Sequence, residues 1–444
     1  MARRRRRGKI PEGLFTADVE SLTHEGKGVA HIDDKVVFIS DALPGEQVTF
    51  KYTLRKKSYD EGAAVEVIRS SPDRVDPPCE HFSICGGCSL QHMSAEAQLK
   101  NKHQILLDNL QRIGKVEAQT LLPPMVSTPW GYRRRARLGV KYVAKKEKVL
   151  VGFREKNSPF ITDISSCKVL DPRVGEKITE LGELISSLTI YMRIPQIEVA
   201  MGDDDVALIF RHLDPLQDED LEKLIAFGQQ HQFKIYGQSK GPDTVKCLWA
   251  PSDVSLSFAL PDQDISLEFR PTDFTQVNVE INRKMVNLAV ELLQLESTDR
   301  VLDLFCGLGN FTLPIARQAG HVVGVEGSTD LVSQAKHNAQ RNKIENVEFH
   351  AVDLTQPLDS YDWSKDSYDK ILIDPPRSGA IEVMEVVAKM RPKRIVYVSC
   401  NPATLARDAH ELVNVHGYTL KKAGAMDMFP STSHVESIAV FDFE

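Results

Sequence analysis

A lone cysteine, Cys400, follows the run Arg394–Ser399, which has the apolar character of a buried β-strand. At the end of such a strand its thiolate could attack an electrophilic carbon, provided that the pKa of the thiol is lowered. By residue type alone, a cysteine there is more often a small buried apolar side chain. The turn Ser399-Cys400-Asn401-Pro402 and the rigid corner Asp374-Pro375-Pro376-Arg377 favour the catalytic interpretation.

Two candidate general bases, His434 and Glu436, lie close to each other near the end of the sequence. A histidine titrates near neutral pH, and a carboxylate can serve as a base when its surroundings adjust its pKa. Residue types alone therefore leave both candidates open.

A glycine-containing turn, Cys306-Gly307-Leu308-Gly309-Asn310, follows the strand-like run Val301–Phe305. The glycines allow the backbone to turn tightly and to approach a ligand. Glu326 closes the next predicted strand, where an acid can accept hydrogen bonds from both hydroxyls of a ribose. Asp353 closes the third, where its side chain could reach an adenine. Because no lysine follows to hold a phosphate, the pattern indicates a nucleoside ligand, and S-adenosylmethionine fits; the alternative is a glycine turn without a ligand.

The C-terminal segment, residues 266–444, alternates between strand-like and helical patterns. This alternation predicts a doubly wound α/β sheet with a ligand crevice at the carboxyl ends of its strands. The predicted strands are Arg300–Phe305, His321–Glu326, Val347–Val352, Tyr368–Ile373 and Arg394–Ser399, and the predicted helices include Ile281–Leu295 and Thr329–Asn342.

The central segment, residues 71–265, has a mixed α+β pattern, and three cysteines lie close together near its start. Cys79, Cys85 and Cys88 fall within ten residues, and Cys167 is the natural fourth thiolate. Four thiolates can hold either a tetrahedral zinc ion or an iron–sulfur cubane, and the spacing alone leaves both open. Without a secretory signal, a disulfide framework is not expected.

The N-terminal part of the chain has short β-rich runs and local positive charge. Residues 11–70 suggest five short strands in a small barrel, a fold that binds single-stranded nucleic acid or serves as a structural module. Residues 1–60 carry twelve Lys and Arg against nine Asp and Glu, a net charge of +3 (12 − 9), whereas the whole chain carries −7. The basic tail, residues 1–10, contributes Arg3–Arg7.

Three further arginines are expected to carry positive charge to a nucleic acid. Arg133, Arg135 and Arg137 alternate along a predicted strand, so they would share one face and could contact a phosphate backbone. An exposed strand with solvated charges is the alternative.

Targeting signals and membrane spans are not expected. The chain has no stretch of eighteen uninterrupted apolar residues, and no apolar signal core follows Arg3–Arg7. We therefore expect a cytoplasmic protein without membrane association, with a monomer as the default state.

Taken together, these motifs resemble the RNA (uracil-5-)methyltransferases, and within them the branch that acts on 23S rRNA. The resemblance covers nearly the whole chain and rests on Phe274-x-Gln276-Val277-Asn278, Asp303–Asn310, Asp374–Arg377, Ser399–Pro402 and His434–Glu436. It implies three parts: a TRAM-like RNA-binding barrel at 11–70, a central α+β domain with a [4Fe-4S] cluster at 71–265, and a Rossmann-like methyltransferase domain at 266–444.

The resemblance also implies roles for single residues. Cys400 becomes the nucleophile that adds to carbon 6 of a uracil, and Glu436 becomes the base that removes the proton from carbon 5. The implied cluster ligands are Cys79, Cys85, Cys88 and Cys167. The implied contacts with S-adenosylmethionine are Gln276, Phe305, Asn310, Glu326, Asp353 and Asp374, of which Gln276 and Asp374 are alternatively placed against the uracil.

Barrel and cysteines together favour, by the same resemblance, the branch that modifies the uridine at position 1939 of 23S rRNA. An enzyme that methylates a different or additional uridine, of the 747 type, shares this layout. A non-catalytic ribosome-assembly factor would not need Cys400 and Glu436 beside an intact glycine turn. A radical RNA-modifying enzyme would need a Cys-x3-Cys-x2-Cys triplet, which the sequence lacks.

Overall fold

The computed structural model describes residues 10–252 and 255–443, and the chain divides into two compact units. The first unit extends through Asn101 and includes two later segments, Arg154–Phe160 and Phe429–His434; the second contains the rest of the chain. The predicted basic run Arg3–Arg7 lies outside the described residues. The domain limits expected from the sequence stay predictions.

Six strands form the sheet of the first unit: β1 (Phe15–Asp18), β2 (Ser21–Leu22), β3 (Gly28–Ile32), β4 (Lys35–Ser40), β5 (Gln47–Arg55) and β6 (Tyr59–Arg69). They are hydrogen-bonded in the order β1-β5-β6-β4-β3-β2, and only β4 and β6 run parallel. The two edge strands, β1 and β2, are two residues apart in the chain, so the sheet curls and its edges approach each other. Its apolar core includes Ala30, Val37, Ile39, Val48 and Phe50.

Apolar and polar residues alternate from Phe15 to Leu22, which predicts one strand, but the structure splits this run into β1 and β2. The N–H of Val19 donates to the carbonyl of Glu46, whereas the N–H of Glu20 donates to the carbonyl of Val29, both at 2.8 Å. The chain therefore changes its pairing partner between these two residues, and the barrel has six strands rather than five.

Nine α-helices lie within the described residues: α1 (Ala95–Asn109), α2 (Pro172–Gly175), α3 (Ile178–Ser187), α4 (Asp218–His231), α5 (Val279–Leu293), α6 (Thr312–Ala316), α7 (Thr329–Arg341), α8 (Ile381–Met390) and α9 (Pro402–His410). Helices α1 and α9 each continue into a π-helical turn, at Leu110–Gly114 and Glu411–Val415. The spacing of apolar residues predicts a helix from Ser94 to Ile113; α1 ends at Asn109, and the π-helical turn covers the rest of that range.

The second unit contains three sheets, whose strands are β7 (Thr120–Leu121), β8 (Arg135–Val143), β9 (Lys148–Gly152), β10 (Gln196–Met201), β11 (Val206–Arg211), β12 (Lys234–Gln238), β13 (Val245–Trp249), β14 (Leu256–Leu260), β15 (Ile265–Phe269), β16 (Arg300–Leu304), β17 (His321–Glu326), β18 (Val347–Ala351), β19 (Lys370–Ile373), β20 (Arg394–Ser399), β21 (Thr419–Met426) and β22 (Glu436–Asp442). One sheet has the order β13-β12-β11-β10-β8-β9, and β14 pairs with β15 in a second.

An eight-stranded sheet, the third in this unit, has the order β18-β17-β16-β19-β20-β22-β21-β7. Strands β16 to β20 run parallel, as the alternating pattern predicts. Strand β22 is antiparallel to both β20 and β21, and this hairpin was not predicted. Strands β17 and β18 lie on one side of β16, and β19 and β20 lie on the other. The strand order reverses at β16, so a ligand crevice is expected at the carboxyl ends of these strands.

Among the described residues, no helix combines the length and the apolar character that crossing a membrane requires.

Candidate active site

The glycine turn after β16 is held against Glu326, the last residue of β17. The N–H of Gly307 donates to one carboxylate oxygen of Glu326 at 3.1 Å, and the N–H of Ser328 donates to the other at 3.0 Å. Gly307 and Gly309 have φ angles of 55° and 94°, which favour glycine. A Cβ at Gly307 would meet no atom within 4 Å, so space is open where a ligand would approach the backbone.

Phe305 adopts a left-handed backbone, with a φ of 65°, directly after β16. Such a conformation is uncommon for an aromatic residue and marks a backbone that its surroundings constrain. The N–H groups of Phe305 and Cys306 both donate to the carbonyl of Val325, at 2.9 and 3.1 Å. The side chain of Phe305 is half-buried beside the glycine turn.

A buried acid, Asp303, lies beneath this turn within β16. One of its carboxylate oxygens accepts a hydrogen bond from the Thr312 hydroxyl at 2.6 Å, and the other has no hydrogen-bond partner in the part of the chain that the structure describes. Burial, with the nearby charges of Asp374 and Glu326, raises the pKa of Asp303 to about 8. Although the sequence motif contains Asp303, no role was predicted for it.

Two asparagine amides connect the glycine turn to α5. The Asn310 side chain donates to the Asn282 carbonyl oxygen at 2.9 Å, and the Asn282 side chain donates back at 3.0 Å. Asn278 caps the start of α5 by accepting from the N–H of Ile281. Asn282, which sequence reasoning missed, therefore joins Asn310 to the helix that follows the Gln276 segment. A small cavity there is lined by Arg134, Met201, Phe258, Thr275, Gln276, Val279 and Asn282.

Asp353 follows β18 at the same edge of the sheet and is exposed. Its carboxylate accepts hydrogen bonds from the hydroxyl and the N–H of Thr355, at 2.7 and 3.0 Å. These bonds lower the pKa of Asp353, so the group stays ionised at the rim of the crevice.

The register of β20 and β22 places Cys400 opposite Glu436. Ser399, the last residue of β20, pairs with Ser437 in the antiparallel ladder. The next residue along β20 is Cys400, and the preceding residue of β22 is Glu436, so continuing the register brings the thiol and the carboxylate together. Glu436 is only 7% exposed. Burial and the charge of Asp374 raise the pKa of Glu436 to about 8, while Arg377 opposes this shift.

The thiol of Cys400 is also surrounded by acidic groups. Burial, then the charges of Glu436 and Asp374, raise the pKa of Cys400 to about 11, and Arg377 acts in the opposite direction. The expectation of a lowered thiol pKa is therefore wrong for this arrangement. The physical reason is that the charges of Glu436 and Asp374, which come from other segments, act on the same half-buried thiol.

The Asp374–Arg377 corner follows β19 and reaches the same site. Asp374 is half-buried, and burial raises its pKa to about 7. The carbonyl of Arg377 accepts hydrogen bonds from the side chains of Asn401, at 3.1 Å, and Thr404, at 3.3 Å. The main chain of Arg377 is thus fixed beside the nucleophile turn, and its charge acts on Cys400, an effect that the sequence did not predict.

His434, the competing base, belongs to the first unit. There its ring packs against Phe429, with ring centroids 5.2 Å apart. The strand register therefore places Glu436, and not His434, opposite Cys400.

The clustered cysteines lie in a tightly turned loop of the first unit. The N–H of Gly87 donates to the sulfur of Cys85 at 3.4 Å, and the N–H of Gly86 donates to the carbonyl of Arg154 at 2.8 Å. Cys167 lies in the second unit, where its N–H donates to the carbonyl of Gly175. Over the described ranges, no three His, Cys, Asp or Glu side chains are grouped as they would be around a metal ion.

The three arginines at 133, 135 and 137 do not lie in one strand, so the prediction that they share one strand face is wrong, whereas their contact with RNA phosphates stays a prediction. Strand β8 begins only at Arg135, and the guanidinium of Arg133 lies over the ring of Phe153, 5.7 Å from its centroid. Arg135 donates to the carbonyl of Pro271 at 3.2 Å. Arg137 is exposed and pairs with Glu198 at 3.1 Å.

Family models and solved structures agree with this architecture. A model described as tRNA (Uracil-5-)-methyltransferase matches residues 94–442, and a TRAM domain model matches residues 14–59. The Pyrococcus abyssi tRNA (uracil-54, C5)-methyltransferase, solved in complex with S-adenosyl-L-homocysteine, has the same fold, with a TM-score of 0.74 at 24% identity over 96% of this chain and 100% of that chain. The predicted N-terminal TRAM barrel and Rossmann-like methyltransferase fold are therefore confirmed.

Curated relatives match the chain from end to end. Proteins named 23S rRNA (uracil(1939)-C(5))-methyltransferase RlmD are 54% identical in Hahella chejuensis, over 99% of this chain and 99% of the relative, and 52% identical in Alkalilimnicola ehrlichii, over 100% and 99%. A relative of the same name in Francisella tularensis subsp. novicida is 52% identical over the full length of both chains. On this evidence, the chain belongs to the tRNA (uracil-5-)-methyltransferase family.

Proposed function

We propose that this protein transfers a methyl group from S-adenosylmethionine to carbon 5 of a uridine in 23S rRNA, at the position equivalent to 1939. Full-length relatives that are 52–54% identical carry this activity in their names. The TRAM domain at residues 14–59 supports an RNA partner. The observation that carries the chemistry is the opposition of Cys400 and Glu436 at the carboxyl edge of the sheet.

Cys400 has the first chemical task in this mechanism. Carbon 5 of uracil is too weak a nucleophile to take a methyl group directly. Cys400 first loses its thiol proton to water. When the resulting thiolate sulfur bonds to carbon 6, the electrons of the 5,6 double bond move towards the carbonyl at carbon 4, and carbon 5 becomes the nucleophilic carbon of an enolate. S-adenosylmethionine, when bound, supplies the methyl group that carbon 5 takes up.

Glu436 then completes the reaction as a base. Its carboxylate accepts the proton of carbon 5, the electrons of that C–H bond restore the double bond, and the bond from carbon 6 to sulfur breaks. A base whose pKa of about 8 lies close to the working pH suits this transfer.

The methyl donor would occupy the crevice at the ends of β16, β17 and β18. Glu326, fixed by two N–H donors, would hold the ribose, and Asp353 at the next strand would reach the adenine. Open space at Gly307 fits the close approach of a ligand to the backbone. The remaining proposed contacts are Phe305, Asn310, Gln276 and Asp374, the last two facing either the donor or the uracil.

The four cysteines would hold a [4Fe-4S] cluster, as a structural or RNA-positioning element. Thiolates are soft ligands that suit iron–sulfur clusters, and a backbone N–H directed at a ligating sulfur stabilises its negative charge. The Gly87 N–H to Cys85 supports this assignment for the loop that also carries Cys79 and Cys88. With Cys167 as the fourth ligand, each iron would have a protein thiolate.

The proposed function is tested with unmodified 23S rRNA, S-adenosylmethionine with a labelled methyl group, and mapping of the product. Wild-type protein should label one uridine at carbon 5. Cys400→Ala should lower the rate at least about a thousandfold, because the covalent route is lost. Cys247→Ala, which alters an exposed cysteine, is the matched control and should methylate normally. Equal rates for wild type and Cys400→Ala would contradict the covalent mechanism, and label at another uridine would contradict the target.

A further inference from the structure

A buried carboxylate, Asp408 in α9, is hydrogen-bonded to the loop that carries Asp374 and Arg377. One of its oxygens accepts from the N–H of Ala380 at 2.7 Å and from the hydroxyl of Tyr397 at 2.6 Å. Asp408 and Tyr397 are fully buried. This carboxylate therefore joins the end of the loop at residues 374–380 to strand β20, which leads directly to Cys400.

Arg407, the neighbour of Asp408, extends the same network. Its Nε donates to the second oxygen of Asp408 at 2.8 Å, and its Nη2 donates to the carbonyl of Ser378 at 2.9 Å. A buried carboxylate is stable when charged and polar donors satisfy it, and Asp408 has both. The pair thus fixes one carbonyl of the loop, that of Ser378, and one N–H, that of Ala380.

Gly379 shows how closely the loop packs on this pair. Its φ of 80° favours glycine, and a Cβ there would lie 2.5 Å from Nη2 of Arg407 and 2.7 Å from Oδ2 of Asp408. No room remains for a side chain. The loop consequently has one path over α9, and the carbonyl of Arg377 is bonded to Asn401 and Thr404 at the start of the same helix.

We propose that Asp408, with Tyr397 and Arg407, is a positioning residue that holds Arg377 beside the reacting cysteine. The proposal rests on the proposed function, in which Cys400 is the nucleophile. Around the thiol, Glu436 comes from β22 and Asp374 from the loop after β19, and both are acidic; Arg377 is the cation that acts against them. A displaced Arg377 would leave thiolate formation opposed by both acids.

The test is a mutant cycle on kcat, with the full-length protein, 23S rRNA and S-adenosylmethionine. The double variant Asp408→Asn with Arg407→Gln removes the pair without changing the net charge. It should lower kcat about tenfold, because a nearby opposite charge shifts a pKa by about one unit or more. The KM for S-adenosylmethionine should not change. Combined with Arg377→Gln, the double variant should lower kcat no further than Arg377→Gln alone, since both changes remove the same interaction.

A purely structural role predicts different results. Effects of the double variant and Arg377→Gln that multiply, or a loss confined to KM, would overturn the proposal. Tyr397→Phe keeps the ion pair and should give a smaller loss with the same dependence on Arg377, so it replaces the double variant if that variant does not fold.

A matched control uses Asp220, a buried aspartate in α4 that accepts from the N–H and hydroxyl of Thr189. Asp220→Asn should lower the melting temperature and leave kcat unchanged; a tenfold loss of kcat there would overturn the assignment to Asp408. A separate experiment distinguishes failure of the proposed function from failure of this proposal. If Cys400→Ala methylates normally, Cys400 is not the nucleophile, whatever the result of the mutant cycle.

Discussion

Two cysteine sites in this protein are fixed by different kinds of structure. Cys400 lies at the end of a paired strand, and the ladder between β20 and β22 places Glu436 opposite it. The loop with Cys79, Cys85 and Cys88 is held by turns and by main-chain bonds to the segment Arg154–Phe160. A strand ladder determines which side chains lie opposite each other. Here it brings a thiol and a carboxylate together, and that pair predicts a reaction. A turned loop fixes only where its sulfurs lie, and the proposed metal rests on the chemistry of the thiolates.

The two sites also differ in the polar and charged groups that lie near the sulfur. Burial and neighbouring carboxylates raise the pKa of Cys400 to about 11, with one cation, Arg377, acting against them. At Cys85 the N–H of Gly87 is directed at the sulfur. The first environment suits a thiol that ionises only when it reacts, and the second suits a sulfur that stays bound to a metal.

The largest expected effect, which tests this contrast, is the loss of the proposed iron–sulfur cluster when one of its cysteines is replaced. Protein purified without oxygen should be brown and hold about four irons, as expected for a cubane with four thiolates. Cys85→Ser should remove the iron and the visible absorption. Cys247→Ser, which alters an exposed cysteine in β13, is the control and should keep both. Stoichiometric zinc in colourless wild-type protein would show that the loop binds a different metal.

A smaller effect tests the buried acid at the catalytic edge. The folded-state pKa of Glu436 is raised to about 8 from its usual 4.5, so the folded protein binds a proton that the unfolded chain releases. Stability is therefore lost as the pH rises from about 4.5 to about 8. Glu436→Gln should not differ from wild type below this range, and should melt at a higher temperature above it, by roughly 2–4 °C per kcal/mol regained.

Melting curves at several pH values between 4.5 and 9 check this expectation. Glu382→Gln in α8, an exposed position, reports the effect of losing a surface carboxylate. A stability difference for Glu436→Gln that stays constant over the whole range would mean that Glu436 ionises alike in the folded and unfolded protein.

Much of the catalytic sheet could be predicted from the sequence because its strands are apolar runs bounded by glycines and acids. The limits of the five parallel strands agree with the structure to within two residues, and α5 and α7 begin and end within two residues of their predicted limits. The hairpin of β21 and β22 was missed. Residues 427–435 separate its strands, and no short turn signal marks the connection.

The site was less predictable where segments distant in sequence meet. The raised pKa of Cys400 depends on Glu436, Asp374 and burial together, and no local pattern reports that combination. Likewise, the alternation of Arg133, Arg135 and Arg137 indicated one strand face, but β8 begins only at Arg135. No sequence motif indicates a role for Asp408, because that role depends on hydrogen bonds from the N–H of Ala380 and the hydroxyl of Tyr397.

The proposed mechanism requires that Cys400 acts as the nucleophile and Glu436 as the base. The decisive measurement is denaturing electrophoresis of Glu436→Gln after incubation with 23S rRNA and S-adenosylmethionine labelled in its methyl group. Release of Cys400 requires the proton of carbon 5 to leave, so this variant should give a shifted protein–RNA band that carries labelled methyl. Adding Cys400→Ala to the variant should abolish the band. Free turnover by Glu436→Gln, with a trapped band in His434→Ala instead, would contradict the assignment of the base.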